Sequence, residues 1–371
     1  MFLLLAEACS SERVGPPPAA PVNWQSLQVL PVVDSGAAVT TSKERALADK
    51  YASALSSPGL ADLGPLFDEE VHFASPGMGD ANGRGPAVGA HGTLFGAFDD
   101  RKVILSRVWR TPNEQTIEWV MTGTHARDYM GVPATHKQIA FKGLTLLWTK
   151  DDGSVTDMHV YVDVAVVRAQ LGVGPKDLLA LPPAVLPGDP TQVFEQGYAD
   201  SEDIEADGRS RGLTDVPSAP PERGRNDERT SPSRSFNVPV VQSALDALEN
   251  NNEAAYVGAM TDDVELHTLE QSHPSLGKRD ARLYYRAIHK AIGQLDTTTE
   301  NAWDVARFAV VEYSIAGVQM APIGWVPARP DKVIWLQVVD IAEIRDGKIA
   351  RVWRYDNPSQ MAGGIEPTRN Q

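Results

Sequence analysis

Four polar side chains alternate along the segment "DMHVYVD" in the first half of the chain: Asp157, His159, Tyr161 and Asp163. Because successive residues of a β-strand point to opposite faces, these four share one face. Burial of a carboxylate among apolar groups raises its pKa, so it can exchange protons near neutral pH. We therefore take Asp163 as a candidate acid–base group and His159 as a catalytic partner that positions it or shares its proton. Tyr161 could donate a hydrogen bond to a developing enolate oxygen.

The same residues also have structural explanations. An aspartate at the end of a strand often caps the next turn, and this face could instead meet solvent or an interface. In the second half, Arg354 and Asp356 share a strand face. That pair could bind a polar substrate or form a structural ion pair.

The overall composition excludes several classes of protein and site. The chain has 371 residues, 34 basic and 49 acidic, and its net charge of −15 argues against nucleic-acid binding, which needs clustered Lys and Arg. The single cysteine, Cys9, excludes a disulfide or a cysteine-based metal site within these residues. The eight histidines have no His-x-x-x-His spacing, so we predict no metal site. No apolar run approaches the roughly 18 residues that span a bilayer.

The two halves of the chain are similar to each other. Three segments of the first half match three of the second: "FDEEVHFAS" with "MTDDVELHTL", "TIEWVMTGT" with "VVEYSIAGV", and "DDGSVTDMHVYVD" with "IRDGKIARVWRYD". Helices precede the strands in both halves, and the alignment places Asp163 on Asp356 within one residue. We predict a duplicated α+β unit, with the last strand of the first copy over Val155–Arg168.

The stretch between the copies is rich in proline and charged residues, which is typical of a flexible linker. The predicted divisions are an amino-terminal tail 1–36, a first domain 37–174, a linker 175–235, a second domain 236–360 and a carboxyl-terminal tail 361–371.

The first half resembles a known family through two segments. These are "GTHARDYMGVPATHKQIAFKGL" at 123–144 and "DMHVYVDVAVVRAQLG" at 157–172. They are similar to SnoaL-like polyketide cyclases and ester cyclases of the NTF2-like superfamily, which have a Gly-Thr-His, a Gly-x-Pro-x-Thr loop and a strand ending in Asp before Gln-Leu-Gly. The second half resembles the wider superfamily through "DGKIARVWRYDN".

The resemblance implies two tandem cone folds, each a curved antiparallel sheet wrapped around about three helices, with a mostly apolar pocket for a small hydrophobic molecule. It implies an aldol-type cyclisation without metal or organic cofactor, with Asp163 as the acid–base residue. The first strand and the end of the Gly-Thr-His strand border the pocket in this family. His72 and His125 are therefore candidate ligand contacts, and Trp119 is a core or pocket-wall residue.

The resemblance also implies that the units pair through their sheets. The two halves would then form an intramolecular pseudo-dimer, or two chains a homodimer, burying outward residues such as Val160 or Trp353.

The amino terminus supports a second, non-catalytic function. Apolar residues Phe2 to Ala6, then Ala8, Cys9 and a Pro-rich stretch resemble the end of a bacterial lipoprotein signal. A lipid anchor at Cys9 would place the protein at the cell envelope rather than in the cytoplasm. Two functions stay open: a cofactor-independent cyclase or isomerase, and a ligand-binding or interaction lipoprotein.

Overall fold

The computed structural model of the protein describes residues 42–111, 113–173, 196–198, 236–268, 274–305, 307–324, 326–330 and 332–363. The predicted amino-terminal tail with Cys9, nearly all of the linker and most of the carboxyl-terminal tail lie outside these residues. Among the described residues, no helix is both long and apolar enough to cross a membrane.

The first half is a sheet packed on helices. Its helices are α1 (Ser42–Ser56), α2 (Arg84–Phe95) and α3 (Val164–Leu171), with a 3₁₀ segment (Pro58–Leu66) after α1. Its strands are β1 (Phe67–Ser75), β2 (Gly79–Asn82), β3 (Phe98–Arg110), β4 (Glu114–His125), β5 (Gln138–Thr149), β6 (Val155–Val162) and β7 (Gln196–Tyr198). The strand order is β2-β1-β6-β5-β4-β3-β7, in which β1 is parallel to β6 and β7 is parallel to β3.

The second half repeats this arrangement. Its helices are α4 (Val238–Glu249), α5 (Glu253–Gly258), α6 (Gly277–Ala291) and α7 (Ser359–Gly363). Its strands are β8 (Met260–Thr268), β9 (Ser275–Leu276), β10 (Ile292–Val305), β11 (Phe308–Gln319), β12 (Val333–Arg345) and β13 (Lys348–Asp356). The order β10-β11-β12-β13-β8-β9, with β13 parallel to β8, confirms the predicted tandem α+β fold class.

Helical periodicity explains how α1 covers the inner face of the first sheet. Ala48, Tyr51, Ala52 and Leu55 recur at spacings of three and four residues and are all buried. They join one apolar core with inward side chains of the strands, including Val160. The prediction that Val160 points outward is therefore wrong, because Val160 faces the helices of its own half.

The predicted strand Val155–Arg168 is also wrong in its second part. The strand ends at Val162, and α3 begins at the next residues. The Asp163 carboxylate accepts hydrogen bonds from the backbone N–H groups of Ala165 (2.8 Å) and Val166 (3.2 Å). This N-cap satisfies donors that the first turn of a helix leaves free, so the aspartate ends the strand and starts the helix.

The outer faces of the two sheets pack against each other. They form a third apolar cluster with contributions from both halves: Trp109, Leu144, Leu146, Trp148, Tyr161, Trp303, Val305, Phe308, Val310, Val339, Ile341, Trp353 and Tyr355. Trp353 is buried there, and the guanidinium of Arg107 lies 4.2 Å from the centre of its ring. Each sheet therefore buries both faces, one on its own helices and one on the other sheet.

Two glutamates lie inside this contact, and each accepts a hydrogen bond from a tyrosine of the other half. The hydroxyl of Tyr161 donates a hydrogen bond to Glu312 (2.5 Å), and the hydroxyl of Tyr355 donates one to Glu118. Strand pairing places Tyr161 and Tyr355 at corresponding positions of the two sheets, and likewise Glu118 and Glu312. Each half thus gives the other the same hydrogen bond, as across a two-fold axis.

Truncation of Trp353 tests this contact. Replacing Trp353 by Ala should lower the free energy of unfolding by about 3–5 kcal/mol, because a large side chain is removed from a buried cluster. Urea unfolding followed by circular dichroism measures the change. Val333→Ala on β12 is the control and should have little effect, since Val333 is 77 % exposed. Equal stability of wild type and Trp353→Ala would contradict the packing described.

Candidate functional site

Asp163 is buried and has one carboxylate oxygen that accepts no hydrogen bond from the described residues. The residue is only 3 % exposed, one carboxylate oxygen caps α3, and the other oxygen, Oδ2, has no hydrogen-bond partner among the described residues. Burial, followed by the nearby charge of Asp356, raises the pKa of Asp163 to about 7. A carboxyl group with this pKa is present in both protonation states near neutral pH.

Two further polar groups of the first core are buried without a partner among the described residues. The Tyr129 hydroxyl is one, and burial together with the charge of Asp163 raises the pKa of Tyr129. The second is Nε2 of His125: because Nδ1 of His125 accepts from the backbone N–H of Thr135 (3.1 Å), Nε2 carries the proton of the neutral ring. The ring of Phe98 contacts both Tyr129 and His125, with centroids 5.1 and 5.7 Å away.

Helix α3 fixes this group of residues relative to the sheet. The guanidinium of Arg168 donates to the carbonyl of Met130 (2.9 Å), which ties α3 to the loop that carries Tyr129. The amide of Gln170 exchanges two hydrogen bonds with the backbone of Ala140 on β5 (2.6 and 2.9 Å). We refer to Asp163, Tyr129 and His125 as the Asp163 site. Within it the charge of Asp163 acts on Tyr129, and His125 is connected to Tyr129 through the ring of Phe98.

The second half has an amide where the first has this carboxylate. Strand pairing aligns Asp356 with Val162 and Asn357 with Asp163, so Asp163 corresponds to the residue after Asp356, within the one residue that the sequence alignment allowed. Asn357 plays the same capping role, since its carbonyl oxygen accepts from the N–H of Ser359 (3.3 Å). An asparagine side chain does not act as an acid or base, so the two copies differ at this position.

His159 and Tyr161 lie on the outer face of the sheet, not beside the Asp163 site. Nδ1 of His159 is 2.7 Å from Oε1 of Glu312, and the same oxygen accepts a hydrogen bond from the Tyr161 hydroxyl. The predicted common face of these two residues is observed. That face is the contact between the halves, which is one of the explanations that the sequence left open. His72 lies at the edge of the same face, with Nδ1 at 2.9 Å from Asp157.

Trp119 lies in the first core, in a chain of hydrogen bonds that leaves each member with a partner. Trp119 donates to the Thr145 hydroxyl (3.0 Å), Tyr51 lies 3.3 Å from Thr145 and 3.2 Å from His91, and His91 donates to the Ala87 carbonyl (2.8 Å). Burial lowers the pKa of His91 to about 4, against the opposing effect of its bond to Ala87. The ring is therefore neutral, and the chain is a satisfied polar part of the core.

Arg354 pairs with Asp340 on the neighbouring strand, not with Asp356 as predicted. The guanidinium donates two hydrogen bonds to Asp340 (2.8 and 2.6 Å) and one to Tyr284, and Tyr313 donates to the same carboxylate (3.0 Å). Burial raises the pKa of Asp356 to about 6, an effect that Arg354 opposes. The core of the second half thus contains a compensated ion pair.

Sequence reasoning missed Tyr129 and the Tyr51–His91 pair. Tyr129 stands inside the segment "GTHARDYMGVPATHK" that carries the family resemblance, so its position in that loop was an available signal. Tyr51 and His91 lie on separate helices with no distinctive spacing, and only packing brings them together.

Family comparisons match both halves. Residues 45–171 match the family described as SnoaL-like polyketide cyclase, and residues 241–352 match the family described as SnoaL-like domain. A search of curated proteins finds no match to this chain.

Several solved structures are similar to a single half. One is a protein of Jannaschia sp. CCS1, provisionally named a SnoaL-like polyketide cyclase (17 % identity, 38 % of this chain, 99 % of that chain, TM-score 0.32). Another is a hypothetical protein of Catenulispora acidiphila with a ketosteroid isomerase-like fold (23 % identity, 34 % of this chain, 92 % of that chain, TM-score 0.30). A third is a LEH-like epoxide hydrolase of M. tuberculosis (18 % identity, 35 % of this chain, 89 % of that chain, TM-score 0.29).

The raised pKa of Asp163 predicts a pH-dependent stability difference. The folded-state pKa of about 7 lies above the value in the unfolded chain, so the folded protein binds more protons between these values. The contribution of Asp163 to stability should therefore decrease by about 3–4 kcal/mol as the pH rises from about 4 to about 7. Asp163→Asn keeps the helix cap and removes this titration. Its stability advantage over wild type should grow over the same pH range.

Urea unfolding of both proteins at about pH 4, 6 and 8 measures this difference. Asp163→Ala is the matched control for the cap, and it should cost about 1 kcal/mol at low pH because the helix loses its N-cap. Parallel pH curves for wild type and Asp163→Asn would show that Asp163 titrates normally.

Proposed function

Because the chain consists of two SnoaL-like domains in tandem, we propose that the first binds a small hydrophobic carbonyl compound and catalyses a cofactor-free cyclisation or isomerisation with Asp163 as the acid–base group. The observation that carries this proposal is the buried Oδ2 of Asp163, which has no hydrogen-bond partner in the described part of the chain, together with a pKa of about 7. A group of this kind can take a proton from carbon and return it within one reaction cycle.

The proposed steps use residues of this chain alone. The Asp163 carboxylate removes a proton from the carbon next to the substrate carbonyl, and the electron pair moves to the carbonyl oxygen as an enolate. The Tyr129 hydroxyl and the Nε2–H of His125 are the donors available to stabilise that oxygen. In an isomerisation the proton returns from Asp163 to a different carbon. In a ring closure the enolate carbon attacks a second carbonyl, whose oxygen takes the proton.

The surroundings support an apolar ligand. Phe98 packs on Tyr129 and His125, and Phe141 lies next to Phe98 with ring centroids 6.1 Å apart. Apolar walls with a few converging polar groups are typical of small-molecule sites. The proposal assigns chemistry to the first domain only, because Asn357 replaces the carboxylate in the second.

A non-catalytic ligand-binding or interaction protein is the second candidate. It is favoured by the placement of His159 and Tyr161, which the contact between the two halves uses, so neither assists Asp163. Under this proposal Asp163 acts as a helix cap, and the domains bind a hydrophobic molecule without changing it.

Hydrogen exchange at carbon distinguishes the two candidates. Wild-type protein is incubated in D2O with a panel of hydrophobic ketones and keto esters, and loss of the proton next to the carbonyl is followed by NMR. Acid–base chemistry predicts exchange above the buffer rate with at least one compound. Asp163→Asn should reduce that rate by at least about 100-fold, the usual contribution of a general base, and leave ligand affinity largely unchanged.

Native mass spectrometry of wild type and Asp163→Asn gives the matched binding measurement. Retention of the same small molecule by both, without exchange in either, would favour the binding protein over the enzyme. Asn357→Asp in the second domain is the positional control and should leave the exchange rate unchanged.

A further inference from the structure

The outer face of the first sheet brings together three residues that can ligate a metal ion. Oδ1 of Asp157 lies 2.9 Å from Nδ1 of His72 and 3.5 Å from Nε2 of His159, and all the ligand atoms lie within 4.8 Å of one another. Ligands about 2.1 Å from one ion lie about 3.0 Å apart in an octahedron and about 3.4 Å apart in a tetrahedron. The two measured separations fall close to these values.

Strand pairing holds the three residues in position. Strands β1 and β6 run parallel with His72 directly opposite Asp157, and His159 follows two residues later on the same face of β6. Rigid strands are a better support for a metal site than loops, because they fix the directions of the side chains. His72 is 85 residues from Asp157 in the sequence, so histidine spacing alone gave no sign of this cluster.

Both histidines have a carboxylate near their second nitrogen. Nδ1 of His159 lies 2.7 Å from Glu312 of the second domain, and Nε2 of His72 lies 3.8 Å from Asp80. A histidine that ligates a metal commonly donates its other N–H to a carboxylate, which fixes the ring and makes it a stronger ligand. Glu312 is itself held by Tyr161 and by the amide of Asn301 (2.5 Å each).

We propose that His72, Asp157 and His159 bind one divalent transition-metal ion, with Glu312 orienting His159 from the other domain. Two imidazoles and a carboxylate suit zinc and similar first-row ions. Three protein ligands leave a further coordination position. The side chain of His72, 17 % exposed, is the most accessible of the three ligands. The ion would tie β1 and β6 to the second domain.

The second domain provides an internal comparison. Strand pairing places Glu265, Arg351 and Trp353 at the positions of His72, Asp157 and His159. Arginine and tryptophan do not ligate metals, so the same proposal predicts one ion per chain and not two.

Isothermal titration of the full-length, chelator-treated protein with zinc sulfate tests the proposal. We expect one site per chain with a dissociation constant in the micromolar range or tighter. His72→Ala and Asp157→Asn should each weaken binding by at least about 100-fold, and Glu312→Gln by about 10- to 100-fold. His267→Ala, on the corresponding strand of the second domain, is the control and should bind as wild type does.

Cobalt(II) gives a spectroscopic readout that does not depend on stability. Visible absorption of bound cobalt should appear in wild type and in His267→Ala and be lost in His72→Ala, whose fold is checked by circular dichroism. The competing state of the cluster is a set of ion pairs in which both imidazoles are protonated around Asp157. Absence of zinc binding in wild type, or equal binding by wild type and His72→Ala, would overturn the metal site.

Discussion

Two carboxylates buried between the sheets constrain the rest of this structure. Glu118 and Glu312 lie where the outer faces meet, and removing a charge from water costs several kcal/mol unless the charge is paired. Burial alone would raise the pKa of Glu118, but Arg107, which donates two hydrogen bonds to it, holds that pKa at about 2. At the position of Arg107 the second half has Asn301, which donates to Glu312, and Glu312 is also contacted by the imidazole of His159 from the first half.

This difference between the two copies explains the placement of His159. The pairing of the domains needs a partner for Glu312, and His159 is committed to that contact. The Asp163 site is left with residues of the first core, Tyr129 and His125. Divergence after duplication thus separated two features: the outer face holds the domains together, and the end of β6 carries Asp163, the residue that we propose as the acid–base group.

The inner faces diverged as well. The first core holds a neutral chain from Trp119 to His91. The second holds the Arg354–Asp340 pair, in which Asp340 occupies the strand position of Thr145. Since burying either arrangement is tolerable only when each polar group has a partner, each core had to change several residues together. One backbone plan therefore encloses two chemically different interiors.

The sequence by itself determined the duplicated α+β fold, the family resemblance and the shared face of His159 and Tyr161. It also identified Asp163 as a candidate acid–base residue. Alternation could not tell which face was the core, because both faces of β6 are apolar-rich: Val160 packs on the helices, while Tyr161 packs on the other domain. Only the tertiary structure decided that His159 meets Glu312, 153 residues away. Local periodicity fixes where a side chain points, whereas the partner it meets depends on how two whole sheets dock.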